Sequence, residues 1–410
     1  MTAFPISRVD KVASVHARIG WKALTASEYQ DDGYVFLSTP NIKGRSIDFE
    51  NVNYISEFRY RESPELMLQA GDVLLAKDGS TLGIAALVTH LPRPSTVNGS
   101  IAVLRCHGID PAFLRYVLQG AVVQGDIQRL KDGMGVPHLF QWDIRRLPVP
   151  LPPWDVQRRI ADFLDDQVAV LDSVIERRKR EHSLLEDRQR SLLAALVTDR
   201  GGPAVPLRRF LRPRQELDRA DLRVLSVYRD HGVIPRDSRK DNFNKTPEDL
   251  SRYQRVAIDD LVVNKMKAWS GSVAVSPYEG IVSPDYLVCD VREGLIPQYL
   301  HLVLRSPRFV AEMGIRSRGI RPNQERLYWD DLASVAIPIP DRAKQWRVVE
   351  AAAEAMASID GIRRVFSRTD DLLNERKRSL ITAVVAGEFD IVSASSRAAE
   401  AALSSVGGSA

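Results

Sequence analysis

Between Trp154 and Arg200 the chain holds neither proline nor glycine, and this run limits what it can fold into more than any other feature. Pro148, Pro150, Pro152 and Pro153 precede it, a cluster that neither a helix interior nor a central strand tolerates. Inside the run, apolar residues fall at Ile160, Leu164, Val168, Leu171, Ile175, Leu185, Leu192 and Leu196, at spacings built from threes and fours. That period predicts a long helix packed along another helix. Gly201-Gly202-Pro203 ends it. Arg178, His182 and Gln189 interrupt the apolar seam, so a pair sealed along its full length is not expected, and part of the surface is left to another protein.

The same stretch occurs twice. Val149-Pro-Leu-Pro is answered by Ile337-Pro-Ile-Pro, 188 residues on, and Gln157 by Gln345 at the same offset. Leu171-Asp172 answers Ile359-Asp360, Leu184-Leu185 answers Leu372-Leu373, and Ser191-Leu192 answers Ser379-Leu380. A register held without a gap over this length is an internal duplication. Two half-molecules follow, each ending in a long helix.

The segments before the helices repeat as well. In the first, Tyr34–Thr39 and Ile101–Cys106 read as strands, Leu68–Ser80 as strand then turn with a returning strand from Gly83, and Pro111 as a helix entry. In the second, Asp259-Asp260 answers Gly71-Asp72, Pro297 answers Pro111 and Pro322 answers Pro137, while Trp142-Asp143 is matched to Trp329-Asp330 at an offset of 187. The expected class is α+β: two duplicated mixed domains, 1–150 and 203–340, and two long helices, 151–202 and 341–390, forming an antiparallel coiled coil. The Ala/Ser-rich tail, 391–410, is expected to be disordered. Loops changed length while the helices kept theirs, which suits a spacer holding two variable readers.

A chain of 410 residues can bury more than one core. Two cysteines, Cys106 and Cys289, exclude a disulfide scaffold or a cysteine-built zinc site, and with no apolar run of membrane length a cytoplasmic setting is expected. Nucleotide-binding, zinc-protease and serine-hydrolase motifs are absent. An adenine methyltransferase would need an Asn/Asp-Pro-Pro-aromatic tetrad, and Pro152-Pro153 follows Leu151 instead. Adjacent acidic pairs such as Asp31-Asp32, Asp165-Asp166 and Asp259-Asp260 diverge on helices and strands, so no metal site is expected.

What remains is basic residues mixed with aromatics. Gly314–Trp329 carries Arg316, Arg318, Arg321 and Arg326, suited to bidentate contact with phosphate or guanine, and Asn323 and Gln324, of the type that reads adenine. Lys77 in the first body and Lys265 and Lys267 in the second occupy matching turns, and His138 lies in a Gly-Val-Pro-His-Leu loop. These are the candidate DNA contacts. The competing reading of each is a solvated loop residue. The net charge of +4 does not decide between them.

The run Pro-Leu-Pro-Pro-x-x-x-Gln-x-x-Ile-Ala-x-Phe-Leu-Asp from Pro150, with the Ser-Leu-Leu-Ala-Ala-x-Val-Thr ending, resembles the DNA-specificity subunits of type I restriction–modification systems. Gly232-Val-Ile-Pro-Arg, Asn264–Trp269 and Gly280–Val288 are similar to target-recognition sequence of that family. The resemblance runs from about Trp21 to Asp390. It implies a non-catalytic subunit whose two target-recognition domains each read half of an interrupted DNA site, with the helices as spacer. It also implies that the helices dock two adenine-methyltransferase subunits, here through Pro152, Gln157, Ile160, Phe163, Leu164 and Gln345. S-adenosylmethionine, ATP and magnesium would belong to those partners and to restriction subunits. The rival expectation is a coiled-coil protein scaffold that touches no DNA.

Overall fold

The computed structural model describes residues 4–17, 24–131, 138–198, 202–229, 231–238, 247, 249–319 and 325–389. The chain divides into two compact units, Met1–Arg177 with Arg368–Ala410, and Arg178–Ser367. The division falls within both long helices, Trp154–Thr198 and Arg342–Val385, so each unit owns part of both.

The first unit is built on a four-stranded antiparallel sheet in the order Ala13–His16, Ile101–Cys106, Asp72–Ala76, Ala85–Leu87. Alternate residues serve opposite faces, as the pleat requires. Val73, Leu75, Ala85, Ala102 and Leu104 face one core with helix Pro111–Gln119, while Leu74, Ala86, Ile101 and Val103 face another. The second core is closed by a three-stranded sheet, Asn53–Ile55, Tyr34–Leu37 and Ser95–Val97, whose last pairing is parallel. A strand apolar on both faces must be covered twice, which is why Asp72–Ala76 is buried throughout.

The second unit repeats the plan. Its sheet runs Leu211–Pro213, Tyr286–Val291, Leu261–Asn264, Val273–Val275. Leu261, Val263, Val273, Val275 and Cys289 face the core with helix Pro297–Arg305, and Val262, Ala274 and Val288 face the other. Two small two-stranded antiparallel sheets, Leu225–Tyr228 with Gly232–Pro235 and Gln254–Val256 with Gly280–Val282, stand where the first unit has its three-stranded sheet. Register between the units holds down to backbone detail. Gly71 and Asp259 both take left-handed conformations, φ 93° and 69°, the second being one an Asp tolerates better than most residues. Buried Asp72 and Asp260 then accept the N–H of Gln69 and Ala257, each at 2.8 Å.

Within each unit the long helices pair antiparallel. In the first, Phe163 lies 5.8 Å from Phe389 and Asp172 accepts from Lys377 at 2.6 Å. In the second, the Arg178 guanidinium covers the Phe366 ring at 4.3 Å, His182 meets the same ring edge-on, and Gln189 accepts from Arg363 at 2.9 Å. The polar interruptions read as openings in the seam are therefore cross-helix contacts, which corrects that expectation.

Each helix start is clipped to its unit by one glutamine. The Gln157 carbonyl accepts the Asp110 N–H at 2.8 Å and its amide donates to Pro152 O at 2.8 Å. Gln345 does the same with Ile296 N–H, 2.8 Å, and Pro340 O, 2.9 Å. Behind them Ile160 and Leu164 are matched by Val348 and Ala352, buried with smaller side chains. One swap is compensated. Thr382 caps the Ala121 N–H at 2.9 Å, whereas the second unit begins its matching helix with Pro307, which has no N–H, and carries Ala194 at the position of the threonine. Among the described residues no helix is long and apolar enough to cross a membrane.

Two outcomes follow. Gln157→Ala leaves a buried N–H and a carbonyl unpaired and lowers the stability of the chain by about 2–4 kcal/mol in urea unfolding, and Gln345→Ala does so separately in its own unit. His301 accepts the Val275 N–H at 3.3 Å, and burial, with Arg305 alongside, pushes its pKa down from 6.5 to about 4. The unfolded chain then binds the extra proton first, so stability from neutral His301 is present above pH 6.5 and is lost as pH falls through about 4. Buried Asp260, raised to about 6, titrates with the opposite sign, so the readout is the wild type minus His301→Gln difference, in which Asp260 cancels. That difference should shrink in urea melts between pH 7 and pH 4.

Candidate nucleic-acid interface

Strand Asp72–Ala76 leads directly into Lys77 and Asp78 at the rim of the first unit. The Lys77 N–H donates to Ser100 O at 2.8 Å, and its carbonyl accepts from Leu139 N–H at 2.9 Å. The second bond lays His138–Trp142 beside the turn, with fully buried Leu139 as the anchor. The Lys77 side chain is 7 % exposed and 3.8 Å from Asp78, and burial holds its ammonium below the usual lysine range while Asp78 works the other way. Lys77 thus does not present a cation to solvent, contrary to the role expected of it. His138 Nδ1 pairs with Asp78 Oδ1, and its ring packs edge-on against Phe140 at 4.5 Å. Phe140 in turn meets Trp142 at 5.0 Å, and both are exposed.

The second unit makes the same junction with other side chains. The Lys265 N–H donates to Asp285 O at 3.0 Å, and its carbonyl accepts from Leu327 N–H at 2.9 Å. Lys265 Nζ donates to Pro284 O at 2.6 Å, with burial holding it below the lysine range, while Lys267 is exposed. Arg326 stands where His138 does, 3.9 Å from the Met266 sulfur, as His138 stands against Asp78. Arg326 and Arg318 exchange backbone hydrogen bonds of 2.8 and 2.9 Å. Arg316 is clamped by Glu312 at 2.7 Å and Ser334 at 2.8 Å. Arg318, by contrast, pairs with Asp331 at 2.5 Å and is still 75 % exposed. Arg326 lies 3.6 Å from Asp285. The Arg326–Asp285 pair is exposed on both sides and worth at most about 1 kcal/mol, so a phosphate can replace that carboxylate, whereas Asp331 under Arg318 is itself buried. Arg321, Asn323 and Gln324 lie outside the described residues, as do Trp21, Pro137, Asp390 and the tail.

Leu139 and Leu327 fix the register at 188, which makes Phe140 and Tyr328 equivalent, each directly preceding a short helix, Gln141–Arg146 or Trp329–Ser334. Trp142 therefore matches Asp330, not Trp329, correcting the offset of 187 read from the sequence. That misalignment hid the exposed aromatic common to both units. The Asp78 and Asp331 partners were also missed, because nothing in the local sequence marks a carboxylate that meets a cation or imidazole across a loop.

The residues expected to dock partners are differently placed. Pro152, Gln157, Ile160, Leu164 and Gln345 are buried inside their own units, and Phe163 packs against Phe389. Their side chains build the clip and the core and leave little for a second protein, which corrects the docking role read from the motif. Among the described residues no group of three His, Cys, Asp or Glu could hold a metal.

A family model described as type I restriction modification DNA specificity domain matches residues 12–181. The type I restriction enzyme MjaVIII specificity subunit of Methanocaldococcus jannaschii is 23 % identical over 177 residues, 42 % of this chain and 41 % of that relative. The EcoKI specificity subunit of Escherichia coli is 19 % identical over 417 residues, 94 % of this chain and 89 % of that one. The chain thus spans about two fifths of the first relative and most of the second. A solved structure described as "Structural basis underlying complex assembly and conformational transition of the type I R-M system" shares the fold, with a TM-score of 0.66 at 17 % identity, over 94 % of this chain and 98 % of the other. In sequence the chain is thus similar to type I restriction–modification DNA-specificity subunits, and its duplicated fold is that of the solved structure.

Proposed function

We propose that the chain is the sequence-reading, non-catalytic subunit of a type I restriction–modification complex in the cytoplasm. Each unit reads one half of an interrupted DNA site, and the helices common to both set the interval between the halves. Two adenine-methyltransferase subunits dock on those helices and bring S-adenosylmethionine. ATP and magnesium belong to restriction subunits where these join. The observation that carries this reading is the repeated junction: the same strand end, the same Leu N–H to Lys carbonyl bond and the same exposed aromatic, with different side chains around each. A common frame with divergent rims is what two readers of unlike half-sites require.

Arg318 is an outward cation of the second unit. Arg318→Ala should weaken DNA binding and reduce the slope of log binding constant against log salt by roughly 1. Arg316→Ala should leave that slope unchanged and cost about 0.5–1 kcal/mol of stability, because its partners are Glu312 and Ser334. A salt titration of the chain with its methyltransferase partner separates the two.

The docking surface is better supported elsewhere on the helices. The half-buried seam of the first helix runs Leu171, Ile175, Arg178, His182, Leu185 and Gln189, and a second stripe lies one residue before each position. That stripe exposes Val170, Val174 and Leu184, and its counterpart on the second helix exposes Ile362, Val365 and Leu372. Val174 answers Ile362 and Leu184 answers Leu372 at the duplication offset. In an antiparallel pair, positions on the same side of each seam share one side of the pair. The first unit thus sets Val170 and Val174 beside Leu372, and the second sets Leu184 beside Ile362 and Val365. Two matching apolar patches on paired helices suit two copies of one helical partner. Leu372→Lys, 56 % exposed in the wild type, and Leu184→Lys, 66 % exposed, should each reduce bound methyltransferase from two copies to one by native mass spectrometry, and the double variant should bind none. Two copies retained by both single variants would contradict the assignment.

A further inference from the structure

Phe140 and Tyr328 share four properties that an incidental surface aromatic does not need to have. They occupy one structural position in the two units, 41 % and 51 % exposed. Each follows a fully buried leucine, Leu139 or Leu327, whose N–H is bonded to the carbonyl of the lysine closing a core strand at 2.9 Å. Each leads into a short helix. Each stands two residues after a side chain fixed by its neighbours, His138 on Asp78 and Arg326 on Met266. The backbone under the ring is thus held from both sides, and an aromatic has only two torsions to restrict, so placing it against a ligand costs little conformational entropy.

The surroundings select the ligand. Arg145 and Arg146 are exposed on the helix that follows Phe140, and Arg318 and Lys267 are exposed near Tyr328. An apolar ring rimmed by cations fits a surface that is anionic at its edges and apolar between them, which describes a DNA groove: phosphates outside, thymine methyls and base steps inside. A protein partner would more often be met by a larger apolar patch without that charge.

We infer that Phe140 and Tyr328 are a matched pair of specificity-determining residues, each ring packing against base pairs of the half-site read by its own unit. The side chains two residues before the rings differ, an imidazole paired with a carboxylate in the first unit and a guanidinium beside a thioether and a carboxylate in the second, so the two rings meet different base pairs. This rests on the reading of the chain as a DNA-specificity subunit.

The test is modified-base sequencing of cells that carry the methyltransferase partner with wild-type chain, Phe140→Ala or Tyr328→Ala. Phe140→Ala should relax, or lower on the order of tenfold, methylation tied to positions in one half of a two-part motif, and Tyr328→Ala should affect the other half. Phe140→Tyr and Tyr328→Phe should stay near wild type. Thermal melts of the purified full chains check folding. Should an alanine variant not fold, Phe140→Leu and Tyr328→Leu keep apolar bulk, lose the ring and carry the same expectation. Motif and methylated fraction unchanged within twofold in both folded variants would overturn the inference while leaving the specificity role intact. A wild type that directs no two-part methylation would overturn the specificity reading, and this inference with it.

Discussion

Gln157 and Gln345 each join three segments with one buried amide: the proline-rich approach, the long helix, and the entry to the helix that covers the sheet. The carbonyl end takes a backbone N–H from the folded body, and the amide end closes on the proline carbonyl five residues before it. A glutamine is long enough to span that gap, and it offers a donor and an acceptor without a charge to bury. The direction in which each helix leaves its unit is therefore fixed by satisfied hydrogen bonds as well as by packing. Ile160 with Leu164, and Val348 with Ala352, then carry the cores onto the helices. Each unit is thus a body locked to its own helix start.

On that fixed frame the two units have diverged where chemistry meets solvent. The sheets keep their strand order and even the left-handed residue before the buried aspartate. The partner of that aspartate has moved, from Arg105 on the neighbouring strand to Arg214 at the sheet edge, 3.3 Å from Asp260. The exchange of Ala121 and Thr382 for Pro307 and Ala194 shows the same economy: a donor is removed together with the side chain that served it. The rims differ more. One presents imidazole, phenyl and indole, the other guanidinium and phenol, so the two units offer different chemistry from one frame.

Much of the frame was legible in the sequence because it is periodic or repeated. The long helices showed in the run from Trp154 without proline or glycine, and strand Ile101–Cys106 and the helix entry at Pro111 in local pattern. The resemblance to type I DNA-specificity subunits rested on the Pro150–Asp165 motif. The candidate site was less legible, because its members meet through tertiary contact. Lys77 looked like a free cation in a turn and is buried under Asp78 and the His138 segment. Gln157 and Leu164 looked like partner contacts because they lie in a motif, yet the motif encodes the clip and the core. Trp142 was drawn to Trp329 by identity, and only the Leu139 and Leu327 hydrogen bonds set the true register.

The central claim is that one chain presents two readers, one in each unit, and that DNA methylation follows both. Modified-base sequencing of the source genome, with and without the gene for this chain, tests it most directly. The account predicts adenine methylation at a motif of two specified parts separated by an unspecified gap, lost throughout when the gene is removed. Methylation unchanged by the deletion, or a lost motif with a single uninterrupted part, would contradict it.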